Sequence, residues 1–180
     1  MPQRSPLLCL PGALLLMLLA QGCHEPNRDP QLAAAEAFID AFYSYDSSRL
    51  AQALSPVPGA DSMAYYQAWA AAANYRIHTR RPCEHHYNFI VCRITVTDDF
   101  GKTLGYLATD TFTLQMRGSE IVAANAEGDD PPIFNALFEW IAEQRPEILS
   151  GPCERMFEGG TTPGACARAV ADSALVFINL

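Results

Sequence analysis

Apolar residues recur at intervals of three and four from Leu32 to Tyr45: Ala35, Phe38, Ile39, Phe42 and Tyr45 share one side, and Glu36 and Asp40 face away. That spacing predicts an amphipathic helix. Asp46-Ser47-Ser48 offers an N-cap for a brief second helix, Arg49 to Leu54, which Pro56 and Pro58 stop. Asp61-Ser62 caps a third, Met63 to Asn74, rich in alanine and carrying Tyr65, Tyr66 and Trp69. From Tyr75 the period changes to two. Four strands are predicted, about Tyr75 to Cys83, Tyr87 to Thr97, Leu104 to Met116 and Glu120 to Ala126. Asp98-Asp99-Phe100-Gly101-Lys102 and Arg117-Gly118-Ser119 supply residues that tight hairpins need. Helical period returns at Ile133 to Gln144, with Phe134, Leu137, Phe138 and Ile141 as its buried stripe and Trp140 on the flank. Arg145-Pro146 ends it, because the residue before proline avoids the α region. A turn near Pro152 to Phe157 stops at Gly159-Gly160, and a last helix opens with Thr162 as N-cap and Pro163 at its first position. Helices, then strands, then helices predict an α+β domain.

Ahead of this pattern stands a different one. Arg4 and an apolar run from Leu7 to Ala20, broken by Pro11 and Gly12, have the parts of a secretory signal. The run is about 14 residues, short of the ~20 that a membrane-spanning helix requires. Leu19-Ala20-Gln21-Gly22-Cys23 resembles a bacterial lipobox, with glycine and cysteine in place but Ala20 and Gln21 departing from the commonest residues. The expected product is a lipoprotein acylated on Cys23; the alternative is an ordinary signal-peptidase cut at the same bond. The organisation expected is a signal peptide over 1–22, lipidated cysteine and tether over 23–31, a domain over 32–147 and a helical extension over 148–180. The residue after Cys23 is His24 rather than aspartate, which by the same resemblance favours the periplasmic face of the outer membrane in a Gram-negative cell.

Cysteine arithmetic fits export. Cys9 leaves with the signal, and Cys83, Cys92, Cys153 and Cys166 form two local pairs. The remaining thiol, Cys23, is the one lipidation would consume. Four cysteines allow three connectivities; local pairing is preferred because Cys83 facing Cys92 centres a hairpin between Tyr87 and Asn88. Arg81 would then face Ile94, and Thr79 would face Val96. Cys153 and Cys166 would tie the short turn to the final helix. A zinc site is disfavoured, since no Cys-x-x-Cys knuckle is present.

The formal net charge is −8, one unit more negative once Arg4 is removed, and Lys102 is the only lysine. Such a surface repels phosphate backbones, so nucleic acid is not an expected partner, and adhesion to anionic lipid is disfavoured. The membrane is reached through lipid.

Several stretches resemble exported bacterial members of the nuclear transport factor 2-like superfamily, over about Leu32 to Glu147. They are Cys92 to Gly101, Thr111-Phe112-Thr113-Leu114 followed by Gly118 to Val122, and Phe138-Glu139-Trp140-Ile141 running to Arg145-Pro146-Glu147. The opening helix with Phe42-Tyr43, then Asp46 and Leu50, is similar to the polyketide-cyclase-like (SnoaL-like) branch. The resemblance implies a curved antiparallel sheet wrapped as a cone around the N-terminal helices, with an apolar mouth that the third helix closes. Members include isomerases, dehydratases and non-catalytic binding modules, so fold alone does not choose. A homodimer through the open sheet face is a further expectation.

Asp110 is the most informative single residue. It shares a strand face with Phe112, Leu114 and Met116, so alternation turns it inward, where desolvation would raise its pKa and suit it to general acid or base work. Tyr65, Tyr66 and Trp69 would line the mouth with Phe42 and Phe112, or simply pack in the core. Arg93 would neutralise an anionic ligand or pair with Asp110. Adjacent His85 and His86 point to opposite faces of a strand and cannot share one metal ion. No cofactor or metal motif is present. The leading expectation is a non-catalytic envelope module binding a small apolar or aromatic molecule or a protein partner; the alternative is an isomerase or dehydratase using Asp110.

Overall fold

The computed structural model describes residues 29–180 apart from Ser55. The expected signal peptide, Cys23 and most of the expected tether lie outside the described residues. Among the described residues seven helices and five strands follow one another in the order α1 (Pro30–Phe42), α2 (Ser47–Ala53), α3 (Ala60–Ala72), β1 (Arg76–Arg80), β2 (Glu84–His86), β3 (Phe89–Thr97), α4 (Asp99–Leu104), β4 (Ala108–Arg117), β5 (Glu120–Gly128), α5 (Pro132–Gln144), α6 (Pro146–Leu149) and α7 (Pro163–Phe177). The strands form one open antiparallel sheet, ordered β1-β3-β4-β5 with β2 also on β3. The class is α+β, as the change of period predicts.

Helix α1 begins two residues before the expected start. Asp29 accepts from the Gln31 N–H at 2.8 Å, and Pro30 occupies a first-turn position where its missing N–H costs nothing. It stops at Phe42 rather than Tyr45, because Tyr45 turns to a positive φ of 58°. Its carbonyls at Ala41 and Phe42 are not orphaned: the buried Gln67 amide of α3 donates to both, at 3.1 and 3.0 Å. Glu36 and Asp40, expected to face away, pair with Arg80 on β1, and Glu36 also accepts the Cys83 N–H at 2.6 Å.

The expected first strand is broken. Pro82 has no N–H to give, and β1 and β2 meet separate halves of β3. Around the hairpin the expected register holds, with His86 opposite Phe89 and Cys83 bonded to Cys92. Beyond Pro82 it slips by one residue, so that Arg80, not Arg81, faces Ile94 and Thr79 faces Thr95, and a bulge at His78 then puts Ile77 opposite Val96. Between β3 and β4 the expected tight turn is α4. Asp98 caps it by accepting from the Gly101 N–H, and the helical turn buries Phe100 to 1 % exposure. The β4–β5 turn is the expected one, with Arg117 opposite Glu120 and Gly118 at φ 60°.

One apolar cluster joins α1 to the inner sheet face: Phe38, Ile39 and Phe42 pack with Ile90, Ile94, Phe112 and Leu114. A second joins α3, α4, α5 and α7 through Trp69, Phe100, Leu137, Ile141, Ala167 and Val170. The C-terminal segment is therefore part of the core, with the Cys153–Cys166 bridge buried inside it. Helix α3 is seated on β5 by Gly59. Its φ is +92°, and a Cβ there would stand 1.9 Å from the Ala124 carbonyl oxygen. Only glycine allows that approach. Among the described residues no helix is long and apolar enough to cross a membrane.

Candidate functional site

Asp110 points inward, as its strand face predicts, and is 1 % exposed. Its cross-strand neighbours are Ile94 and Gly128. One carboxylate oxygen accepts from the Tyr43 hydroxyl at 2.6 Å and the other from the Tyr66 hydroxyl. Tyr43 follows the last turn of α1 and Tyr66 lies on α3, so Asp110 ties both helices to β4. Burial raises the Asp110 pKa to about 6. The two tyrosine hydrogen bonds oppose that rise, while Asp129 and Asp130 add to it. Burial and Asp110 together keep Tyr43, Tyr66 and Tyr75 protonated well above the ordinary phenol range. Asp98 is a second buried carboxyl, raised to about 7 mainly by burial, against the pull of the Gly101 N–H.

The cavity lies on the far side of Tyr66. It is a cleft of about 490 Å³ between α3, the Ala126–Gly128 end of β5, α5 and the turn that precedes α7. Its aromatic wall consists of Tyr66, Trp69, Tyr75, Phe134, Phe138 and Phe157. Tyr66 stands nearly perpendicular to Tyr75 (89°, 6.2 Å between ring centroids) and to Phe157 (88°, 5.7 Å). Met63 and Met156 fill the corners, and Ser62, Asp130 and Asn135 add polar atoms.

Of the residues nominated from sequence, Tyr66 and Trp69 line this cleft. Phe42 and Phe112 do not: both are fully buried beneath it, their rings 4.9 Å apart. Tyr65 is not in the wall; its ring packs against Phe157 at 5.1 Å, with its hydroxyl buried and unbonded among the described residues. Asp110 stands behind Tyr66 rather than in the wall. Arg93 requires a correction. On β3 Ile90, Cys92, Ile94 and Val96 are fully buried and share the inner face, so Arg93 belongs to the outer face with Val91 and Thr95, opposite Thr111, while Asp110 is opposite Ile94. Arg93 pairs instead with Glu84 and borders a shallow groove of about 320 Å³ with Arg81, Thr95, Thr109, Thr111 and Asp129.

Sequence reasoning missed Tyr43, Tyr75, Asp130, Phe134, Phe138, Met156 and Phe157. Phe134 and Phe138 were readable as an i, i+4 pair, but periodicity does not distinguish a core stripe from a cleft wall. Phe157 carried no signal: it sits at φ 61° in the turn clipped by Cys153–Cys166. His85 bonds Asp29 at 2.8 Å, which lowers the Asp29 pKa. Among the described residues no three His, Cys, Asp or Glu side chains gather as metal ligands would. Neither protein-family models nor curated proteins match the chain.

Proposed function

We propose that this chain is a cell-envelope lipoprotein, anchored through Cys23, whose domain is a non-catalytic module holding a small flat apolar or aromatic molecule in the cleft. The observation that carries this reading is the wall of six aromatic rings around about 490 Å³, within the ~300–1,000 Å³ usual for small-molecule sites. A nuclear transport factor 2-like cone is the proposed description of the domain. The aromatic stripe of α1 against the inner sheet face supports it, as do the bulges that break the register in β1 and near Gln115.

The isomerase or dehydratase alternative asks Asp110 to exchange a proton with a substrate. Its two oxygens are occupied by tyrosine hydroxyls, it is 1 % exposed, and Tyr66 rather than Asp110 forms the cleft wall. That arrangement favours a structural carboxyl over a proton carrier.

The test is titration of the mature domain with N-phenyl-1-naphthylamine, an uncharged fluorescent aromatic. Saturable enhancement that disappears when Ala126→Phe fills the cleft is the expected result. Enhancement unchanged by Ala126→Phe in a folded variant, or no saturable binding by the parent, would count against the reading.

A further inference from the structure

The charge around the cleft is one-sided. Among the described residues no lysine, arginine or histidine lines the cleft, and the one carboxyl that does, Asp130, lies close against Gly128: a Cβ on that glycine would stand 3.2 Å from Asp130 Oδ1. Behind the wall, Asp110 is bonded to Tyr66 itself. Asp129 precedes Asp130 in the chain, and both act on Asp110. The rings add to this field. The face of an aromatic ring is electron-rich, so each wall ring that turns its face to the cleft adds to this field. Tyr66 packs nearly perpendicular to Tyr75 and to Phe157, and Phe134 and Phe138 continue the wall with centroids 4.8 Å apart.

From this cage and its single carboxylate we infer that the cleft selects an organic cation, a protonated amine or quaternary ammonium carried on an apolar or aromatic body. The inference rests on the cleft being a ligand site at all, and adds the charge of the ligand. A cation over ring faces gains attraction that an uncharged molecule of the same shape lacks, and more so where water is excluded. Asp130 would pair with it, and Asp110 would act through space. The raised pKa values of Asp110 and Asp130 agree, because burial and neighbouring acids act on both with no cation to offset them. A ligand bearing positive charge would supply that missing partner.

Three probes with one ring system separate charge from shape: 1-naphthylmethylamine, 1-naphthalenemethanol and 1-naphthoate. Each is titrated at pH 7.5 into protein labelled at its methionine methyls, since Met63 and Met156 line the cleft. The amine is expected to bind on the order of tenfold tighter than the alcohol, with the carboxylate weakest. In Asp130→Asn that gap should shrink to about twofold. An alcohol that shifts both methyls and binds as tightly as the amine overturns the inference and leaves the binding-module reading standing. Full amine preference in Asp130→Asn overturns the role given to that carboxylate. If none of the three shifts either methyl, both readings fall.

Discussion

Asp110 shows how one buried carboxyl can be legible in part. Alternation along its strand places it inward correctly, because Phe112 and Leu114 beside it need the core. Its partners were not readable, since Tyr43 and Tyr66 arrive from helices 67 and 44 residues away in sequence, and local pattern carries no such distance. The Arg93 pairing failed for a reason already in the residues: Arg93 alternates out of phase with Ile90, Cys92 and Ile94, so it had to leave by the other face. The chemistry has a consequence for stability. Folded Asp110 keeps its proton to about pH 6 and Asp98 to about pH 7, each well above the ordinary aspartate value of 3.8. Between those limits the folded state binds more protons than the unfolded chain, so stability falls as pH rises from about 4 toward 7. Urea titrations across that range should show the decline, and Asp110→Asn should make it shallower. A stability that climbs through the same window would contradict the burial argument. Tyr66→Phe keeps the cleft wall but removes one hydrogen bond to a buried carboxylate, and should cost about 1–3 kcal/mol at pH 8 by the same method.

At the level of elements, type was easier to read than extent. Helices α1 and α5 follow from periodicity and their stops. Helices α3 and α7, read from caps, are present, but α3 starts at Ala60 behind Gly59 rather than at an Asp61-Ser62 cap, and the Thr162 side chain makes no cap hydrogen bond. Asp46 caps α2 as its position suggests, accepting from the Ser48 N–H at 2.9 Å. What local pattern missed was decided by burial or by backbone chemistry. The Asp98–Lys102 turn winds into α4 because Phe100 must reach Trp69 and Tyr75 in the second cluster. β1 and β2 separate because proline interrupts the ladder, and the register then slips by one residue and by another at His78. The C-terminal turn matters most to the cleft. Cys153–Cys166 and Cys83–Cys92 close loops of similar length, with sequence separations of 13 and 9. Replacing either pair by serine should cost about 2–3 kcal/mol of stability. Their effects on N-phenyl-1-naphthylamine should differ. Loss of Cys153–Cys166 frees the turn that carries Met156 and Phe157 and should weaken binding several-fold, while loss of Cys83–Cys92, remote from the cleft, should leave affinity unchanged. Equal effects from the two pairs would mean that the turn does not build the wall.

For the whole molecule, the α+β class and the two bridges were legible, and the position of the cavity was not. Sequence pointed to a mouth lined by Phe42, Phe112 and Arg93; the structure closes that region with side chains and opens a cleft one layer out, between α3 and α5. A cavity is what remains after packing, and its place depends on tertiary contacts that no window of sequence contains. The proposed lipid anchor rests on Cys23 and the residues before it. Cys23→Ser should move the protein from the membrane fraction to the soluble fraction, and detergent-dependent association that survives the change would contradict lipidation. The most direct test of the account as a whole concerns the cleft. The described domain contains Met63 and Met156 in its wall and Met116 away from it at the end of β4. With methyl-labelled methionine and N-phenyl-1-naphthylamine, the account predicts saturable shifts at Met63 and Met156 with Met116 unmoved. Saturation that leaves both wall methyls still, or that moves Met116 alone, would contradict it.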